Sequence, residues 1–372
     1  MNIALLGFGV VGRGVYDLVK NIDGLAVTKV VCLEDVSLPD ATVTKDFTDV
    51  LGDDIDIVVE AMGGLHPAFE FVSKAMEAGK HVVTSNKALV ATFYDTLLPL
   101  AQSKGICFRC TAAVGGGIGW LSELERTRRT QQLKSVGGIM NGTCNYILDS
   151  MTRLSLGYDE ALKQAQGLGY AEANPSTDVE GIDTWHKTIL SSNIGFAISL
   201  DPATVPVAGI SRISKADVDA FTAMGLVCKL IGTGRQAEGK ISAFVQPTLV
   251  SASSLEAAVP LNYNLISFDG EASGPMRFYG QGAGRYPTAH NVVQDCADVL
   301  AGNGFYSPYG PKTQADNSLC MRYYVRGNAD SWLEENTAEA LPGAVLTKPV
   351  SVAAIHGWLK DHPEAFIAAL AE

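Results

Sequence analysis

The first twelve residues, "MNIALLGFGVVG", constrain this chain more than any other stretch. A short apolar run from Asn2 to Leu6 leads directly into Gly7, Gly9 and Gly12, spaced as G-x-G-x-x-G, and then into a helical pattern from about Val11 to Lys20. Each glycine answers a separate physical need. The first permits a tight turn, the second lets a pyrophosphate approach bare backbone, and the third lets helix pack on strand. The unpaired N–H groups and positive dipole end of the helix would face the phosphates, with Phe8, Val10 and Val11 in the same turn.

Strand and helix patterns keep alternating after this motif. "AVTKVVCL" is followed by "IDIVVEAMGG" with a helix from about Pro67 to Ala78, by "HVVTSNK" with a helix to Lys104, and by "ICFRCTAA". That alternation predicts a parallel, doubly wound sheet: an α/β chain with an N-terminal Rossmann-type dinucleotide-binding domain. Glu34 and Asp35 end the second strand, where an acid can bond the ribose 2′-hydroxyl and repel a 2′-phosphate. No Lys or Arg follows in "LEDVSLPDA", so NAD is expected to be preferred over NADP. Ser85 and Lys87 in "TSNKALVA", and the run Gly115–Gly117, stand just past strands, where such sheets bind ligands.

A length of 372 residues argues for two or three domains. The net charge of -12, with no basic stripe, speaks against nucleic acid as a partner. No apolar run reaches the ~18 residues of a membrane span, and the N-terminus lacks the basic segment of a signal peptide. The seven cysteines are irregularly spaced, and "CFRC" at 107–110 has no second pair, so reduced core cysteines in a cytoplasmic protein are expected.

Near residue 130 the composition shifts. "LKSVGGIMNGTCNYILDSM" reads as a strand, a turn at Asn141-Gly142 and a helix. "LGYAEANPSTDVEGIDTWHK" then gathers Glu172, Asp178, Asp183 and Lys187, with Pro175 and the polar run Ser176-Thr177-Asp178 suiting a helix start. Asp183 and Lys187 are four apart, on one helix face. An exposed pair of that kind contributes only about 0.3–0.5 kcal/mol. Ile182, Trp185 and Ile189 instead suggest a helix buried on most sides.

Taken in order, "GFGVVG", "SNKALVA", "VGGGI", "GIMNGTCNYIL", "LGYAEANPSTDVEGID...K" and "FYGQGAGRYPTA" resemble the motifs of homoserine dehydrogenases, over roughly residues 1–305. The resemblance implies reversible, NAD(P)-dependent interconversion of L-aspartate 4-semialdehyde and L-homoserine, in threonine, methionine and isoleucine biosynthesis. It implies an α+β substrate-binding and dimerisation domain, and a homodimer. It makes Lys187 the proton donor to the aldehyde oxygen with Asp183 beside it, and places Lys87 at cofactor and substrate. Glu172, Asp183, Asp178, Gly142 and Thr143 would bind the amino alcohol, and Gly284 would contact the cofactor. Backbone carbonyls of Thr111, Val114, Gly116 and Ile118 match a monovalent-cation site, for sodium or potassium.

Several positions depart from the family pattern. Asn174 stands in place of aspartate, Thr111 in place of glutamate, Gly119-Trp120 in place of proline and an aliphatic residue, and Trp185-His186 and His290 in place of small residues. A related dehydrogenase acting on another small amino or hydroxy alcohol, or a non-catalytic dinucleotide sensor, remains open at this point. The expected organisation is a dinucleotide domain over 1–130 with a returning segment at about 285–305, a second domain over 131–284, and an extension over 306–372. Many family members carry a regulatory ACT domain. The extension, read as one strand in "MRYYVRG" and a helix across "VSVAAIHGWLKDHPEAFIAAL" interrupted near Pro363, looks too short for its βαββαβ unit, so no inhibition by threonine through such a domain is expected.

Overall fold

The computed structural model describes residues 1–371 except 304–308, so the expected end of the returning segment near residue 305 lies outside the described residues. The chain forms two compact units. The first holds Met1–Gln131, Asn193–Ser199 and Gly280–Lys312, and the second Gln132–Ser192, Leu200–Tyr279 and Thr313–Glu372.

In the first unit, β1 (Asn2–Leu6), β2 (Ala26–Val31), β3 (Thr42–Thr44), β4 (Ile57–Glu60), β5 (His81–Thr84) and β6 (Phe108–Arg109) form a parallel sheet in the order β3-β2-β1-β4-β5-β6. This is the doubly wound order, with its switch point between β1 and β4. Ile3, Leu5, Ile57 and Val59 are fully buried, which is why these strands read as unbroken apolar runs. The helix Val10–Val19 packs Val15, Tyr16 and Val19 into the same core as Ala289, Val292 and Cys296 of the helix Arg285–Leu300. Gly14 allows that approach, since a Cβ there would stand 2.8 Å from the Ala289 Cβ.

The second unit is built on a nine-stranded sheet. Its order is Gly274–Gln281, Tyr263–Gly270, Leu133–Ile139, Leu226–Ala237, Lys240–Ser251, Phe366–Leu370, Tyr323–Arg326, Ala344–Thr347, Thr337–Leu341. Leu226–Ala237 and Lys240–Ser251 pair as a long hairpin through Glu238-Gly239, both at positive φ, as a two-residue primed turn requires. Ile147, Leu148, Phe221, Leu230, Tyr324 and Phe366 share one core.

The C-terminal expectation is overturned. Residues 323–370 run strand, helix Ser331–Asn336, strand, strand, helix Val352–Asp361, strand, apart from the two-residue strand Val350–Ser351, which pairs with Cys320–Met321 outside the large sheet. The last strand of this set lies beside its first, followed by its third and second, which is the order of a ferredoxin-like βαββαβ unit. The length suffices because the connections are tight, notably the Pro342-Gly343 turn between Thr337–Leu341 and Ala344–Thr347. "FIAAL" is a strand, not a helix continuation; so short an apolar run carries no period to distinguish the two. The expectation about threonine loses the length argument on which it rested.

None of the described cysteines forms a disulfide, and five are buried. Among the described residues no helix is long and apolar enough to cross a membrane, and no cluster of three His, Cys, Asp or Glu side chains could hold a metal.

Candidate functional site

In the first unit, the glycines after β1 do three different things. Gly7 sits at φ +95°, its N–H donates to Val31 O at 2.9 Å, and a Cβ on it would lie 2.8 Å from Ala61 O. A Cβ on Gly12 would lie 2.2 Å from Gly7 O, so only glycine lets the helix start so close to the turn. Around Gly9 there is open space, and this N-cap makes no side-chain bond. The first-turn N–H groups are thus left for an anion. Phe8 is buried, Val11 half-buried, and Val10 exposed at the mouth of the turn. Gly284, at φ +129°, begins the helix Arg285–Leu300 in the same uncapped manner.

Strand register aligns Leu6, Glu60 and Thr84 at the carboxyl edge of the sheet. Glu60 is fully buried. Its Oε1 accepts from the N–H groups of Met62 (2.8 Å) and Gly63 (3.1 Å), and its Oε2 from the Thr84 hydroxyl (2.5 Å). These three donors disperse the carboxylate charge and fix the turn against which Gly7 packs. Half-buried Ser85 follows. Asn86 caps the helix Lys87–Thr92, accepting from Leu89 N and donating to Gly64 O, which makes Lys87 the first helical residue.

Beyond β2, Glu34 and Asp35 line a cavity of about 360 Å³ together with Val43 and Lys45. No Lys or Arg lies in "LEDVSLPDA", yet the fold brings two basic groups to these carboxylates. Arg13 Nη2 is 2.8 Å from Glu34 Oε2, and Lys45 Nζ is 2.9 Å from Asp35 Oδ1. Arg13 comes from the helix Val10–Val19 and Lys45 from just past β3, both outside the stretch read from sequence.

The expected cation carbonyls are also altered. Gly116, at φ +51°, packs against Gly282 O, and the Asn291 side-chain amide donates to Gly116 O at 2.5 Å and to Ile118 O at 3.1 Å. Thr111 gives both its N–H (2.8 Å) and its hydroxyl (2.6 Å) to buried Asp295, which also accepts from Arg109 Nε at 2.9 Å. Burial pushes the Asp295 carboxyl up and the Arg109 charge opposes it. The set Thr111, Val114, Gly116 and Ile118 therefore does not offer four carbonyls free for an ion.

In the second unit, Asp183 lies in the first turn of the helix Ile182–Phe196 and Lys187 one turn on, both buried. Lys187 Nζ donates to Asp183 Oδ2 at 2.7 Å and to Met140 O at 2.6 Å. Asn141, not singled out as a site residue from sequence, caps the helix Gly142–Leu154 through Cys144 N. Its amide nitrogen bridges Asp178 Oδ1 (2.7 Å) and Asp183 Oδ2 (2.8 Å). Asn at a helix N-cap was the available signal. Asp178 is pushed up from its ordinary value, chiefly by burial and further by the Asp183 charge, against the Asn141 bond and Lys187. Gly142 leaves room for Asn262 O, which a Cβ would approach to 2.6 Å, and Thr143 donates to Tyr170 O. Glu172 lies exposed, outside this hydrogen-bonded cluster. His186 meets Trp185 edge-on at 5.1 Å, and Trp185 donates to Val205 O.

A cluster of carboxylates around a buried lysine in one unit and a glycine turn with uncapped first-turn N–H groups in the other suit a nicotinamide-dependent oxidoreductase. Comparison with known proteins agrees. Residues 120–297 match the homoserine dehydrogenase family model, and residues 7–110 that of the homoserine dehydrogenase NAD binding domain. A homoserine dehydrogenase of Bacillus subtilis is 36% identical over 349 residues, covering 88% of this chain and 81% of its own. One from Corynebacterium glutamicum is 39% identical over 314 residues, covering 79% and 71%. The crystal structure of a homoserine dehydrogenase from Thiobacillus denitrificans superposes with a TM-score of 0.88 at 30% identity, covering 100% of this chain and 98% of that one. The chain belongs to the homoserine dehydrogenase family.

Proposed function

We propose that this NAD(P)-dependent oxidoreductase interconverts L-aspartate 4-semialdehyde and L-homoserine, with Lys187 as the proton donor and the carboxylates around Asn141 as the amino-alcohol subsite. The observation that carries this is the hydrogen-bond inventory of Lys187. An ammonium has three N–H donors, and Asp183 Oδ2 and Met140 O take two of them. The remaining N–H is held by a pinned side chain and serves the substrate oxygen. As charge develops on that oxygen, the ammonium both stabilises and protonates it; in the reverse direction the neutral amine takes the hydroxyl proton. When bound, the nicotinamide supplies or accepts the hydride.

Asp178 and Asp183 suit the substrate ammonium, with Thr143 and Gly142 at the start of the adjoining helix. Glu172 joins them only if its exposed side chain turns inward. Lys87, opening its short helix in the first unit, serves cofactor and substrate together with Ser85. The turn at Gly7–Gly12 and Gly284 hold the cofactor phosphates. Glu34 favours NAD, whereas Arg13 beside it moderates that preference. A cytoplasmic location fits the free, mostly buried cysteines, and a homodimer fits the family.

The deciding experiment is a spectrophotometric assay of the purified chain with L-homoserine and each nicotinamide cofactor. Turnover of L-homoserine above that of other small amino and hydroxy alcohols supports the reading. Tight cofactor binding with no turnover of any of them would leave a dinucleotide sensor.

A further inference from the structure

Two carbonyls, one within the glycine run and one just after it, point at one side chain. Asn291 projects from the helix Arg285–Leu300, is 3% exposed, and places its amide nitrogen 2.5 Å from Gly116 O and 3.1 Å from Ile118 O. The orientation of the amide follows from chemistry. Carbonyl oxygens only accept, so the NH₂ end must face them; turning the amide would press its oxygen against both. The carbonyl directions are themselves fixed. Gly116 holds φ +51° with Gly282 O where its Cβ would be, and Ile118 N–H donates to Gly115 O at 2.8 Å.

We infer that the Asn291 amide occupies the place of a monovalent cation in this chain, so that the turn is closed by an internal donor and needs no ion. A cation bound through carbonyls replaces its water shell with oxygen lone pairs converging on one point. Here the two amide hydrogens take that point, and their partial positive charge repels an ion there. The carboxylate beside the turn already has a cationic partner. Asp295, the carboxylate bonded to Thr111, has the Arg109 guanidinium at 2.9 Å, and Arg109 also reaches Asp298 at 2.8 Å. Thr111 itself is neutral, and its two donors are spent on Asp295. Nothing in this arrangement requires an alkali cation.

The test begins with the unaltered protein, at constant ionic strength, with tetramethylammonium, sodium or potassium as the monovalent cation. Thermal melting and sodium NMR line-broadening read the site without reference to activity, so they stand even if the substrate assignment fails; the turnover rate is a third readout. The melting temperature should be the same in all three salts and the rate should change by less than about twofold, since an ion that binds the folded state must raise stability as it saturates. A saturable rise with sodium or potassium overturns the inference, most directly if Asn291→Ala abolishes it, because the side-chain oxygen would then be a ligand. Under the inference Asn291→Ala instead gains a saturable response to one of these ions. If that variant does not fold, Asn291→Asp serves. Its carboxylate cannot donate to the carbonyls, so it should melt lower in tetramethylammonium and recover with sodium or potassium. Indifference of every folded variant to both ions would show that the amide does not stand in a cation's place.

Discussion

Asn141 and Lys187 converge on a single oxygen, with their nitrogens 2.8 Å and 2.7 Å from Asp183 Oδ2. Asp183 is thereby fixed by a neutral donor from one helix start and a cation from its own helix. Its orientation does not depend on substrate. Asp183 in turn anchors Lys187.

The lysine is the first point to test. Lys187→Ala should lower kcat by about 10² or more while cofactor affinity, measured by fluorescence titration, stays near wild type. Near-normal turnover would remove Lys187 from the mechanism.

Asp178 should set the acid side of the pH profile. Its pKa is raised above that of an exposed carboxyl, so on acidification it loses its charge earlier than an exposed carboxyl would. The substrate ammonium then loses a partner, and kcat/KM should fall on the acid side through KM before kcat changes. Asp178→Asn should raise KM about tenfold at neutral pH, roughly 1.4 kcal/mol, and remove that acid-side KM dependence. An unchanged KM profile in the variant would exclude Asp178 from substrate binding.

Cofactor preference turns on Arg13. In the proposed reading Glu34 would accept from ribose hydroxyls and oppose a 2′-phosphate, while Arg13, now bonded to Glu34, would pair with that phosphate. The wild type should favour NAD by less than about tenfold in kcat/KM. Arg13→Ala should widen the ratio, and Glu34→Arg should invert it. A ratio unmoved by Arg13→Ala would show that the guanidinium never reaches the cofactor.

Lys229 makes a stability prediction unrelated to turnover. It is fully buried, donates to Asn145 Oδ1 and Val259 O at 2.9 Å each, and burial lowers its pKa from 10.5 to about 8. Between those values the unfolded chain holds a proton that the folded chain has released, so stability rises with pH across this window. The rise amounts to about 3 kcal/mol at 1.36 kcal/mol per unit. In urea unfolding, Lys229→Met should lack that rise. Parallel pH profiles for the two proteins would refute the assignment.

What could be read from sequence was chemistry whose partners lie close along the chain. Gly7, Gly12 and the strand and helix around them are one local motif, and Asp183 with Lys187 is a single helical turn. The missed groups meet distant partners: Arg13 and Glu34 are 21 residues apart, Asn141 and Asp183 are 42 apart, and Asn291 and Gly116 are 175 apart. No periodicity or spacing rule reaches across such intervals, and Asn141 looked like an ordinary turn residue. In the C-terminal region Tyr323–Arg326 was legible as a strand, but the three strands paired beyond it were not, for a different reason. At four or five residues each, Thr337–Leu341, Ala344–Thr347 and Phe366–Leu370 are too short for alternation to separate strand from helix.

The position of Phe366–Leu370 bears on biosynthesis. This strand lies parallel to Lys240–Ser251 on one side and antiparallel to Tyr323–Arg326 on the other. The middle of the nine-stranded sheet therefore stays open on the ribosome until residue 370 has been made and has emerged. Until then Lys240–Ser251 and Tyr323–Arg326 each present a bare edge, the kind that recruits strands from neighbouring chains. A nascent chain that stalls or is clipped ahead of Phe366 would expose two adhesive edges at once, and such fragments should collect in the insoluble fraction.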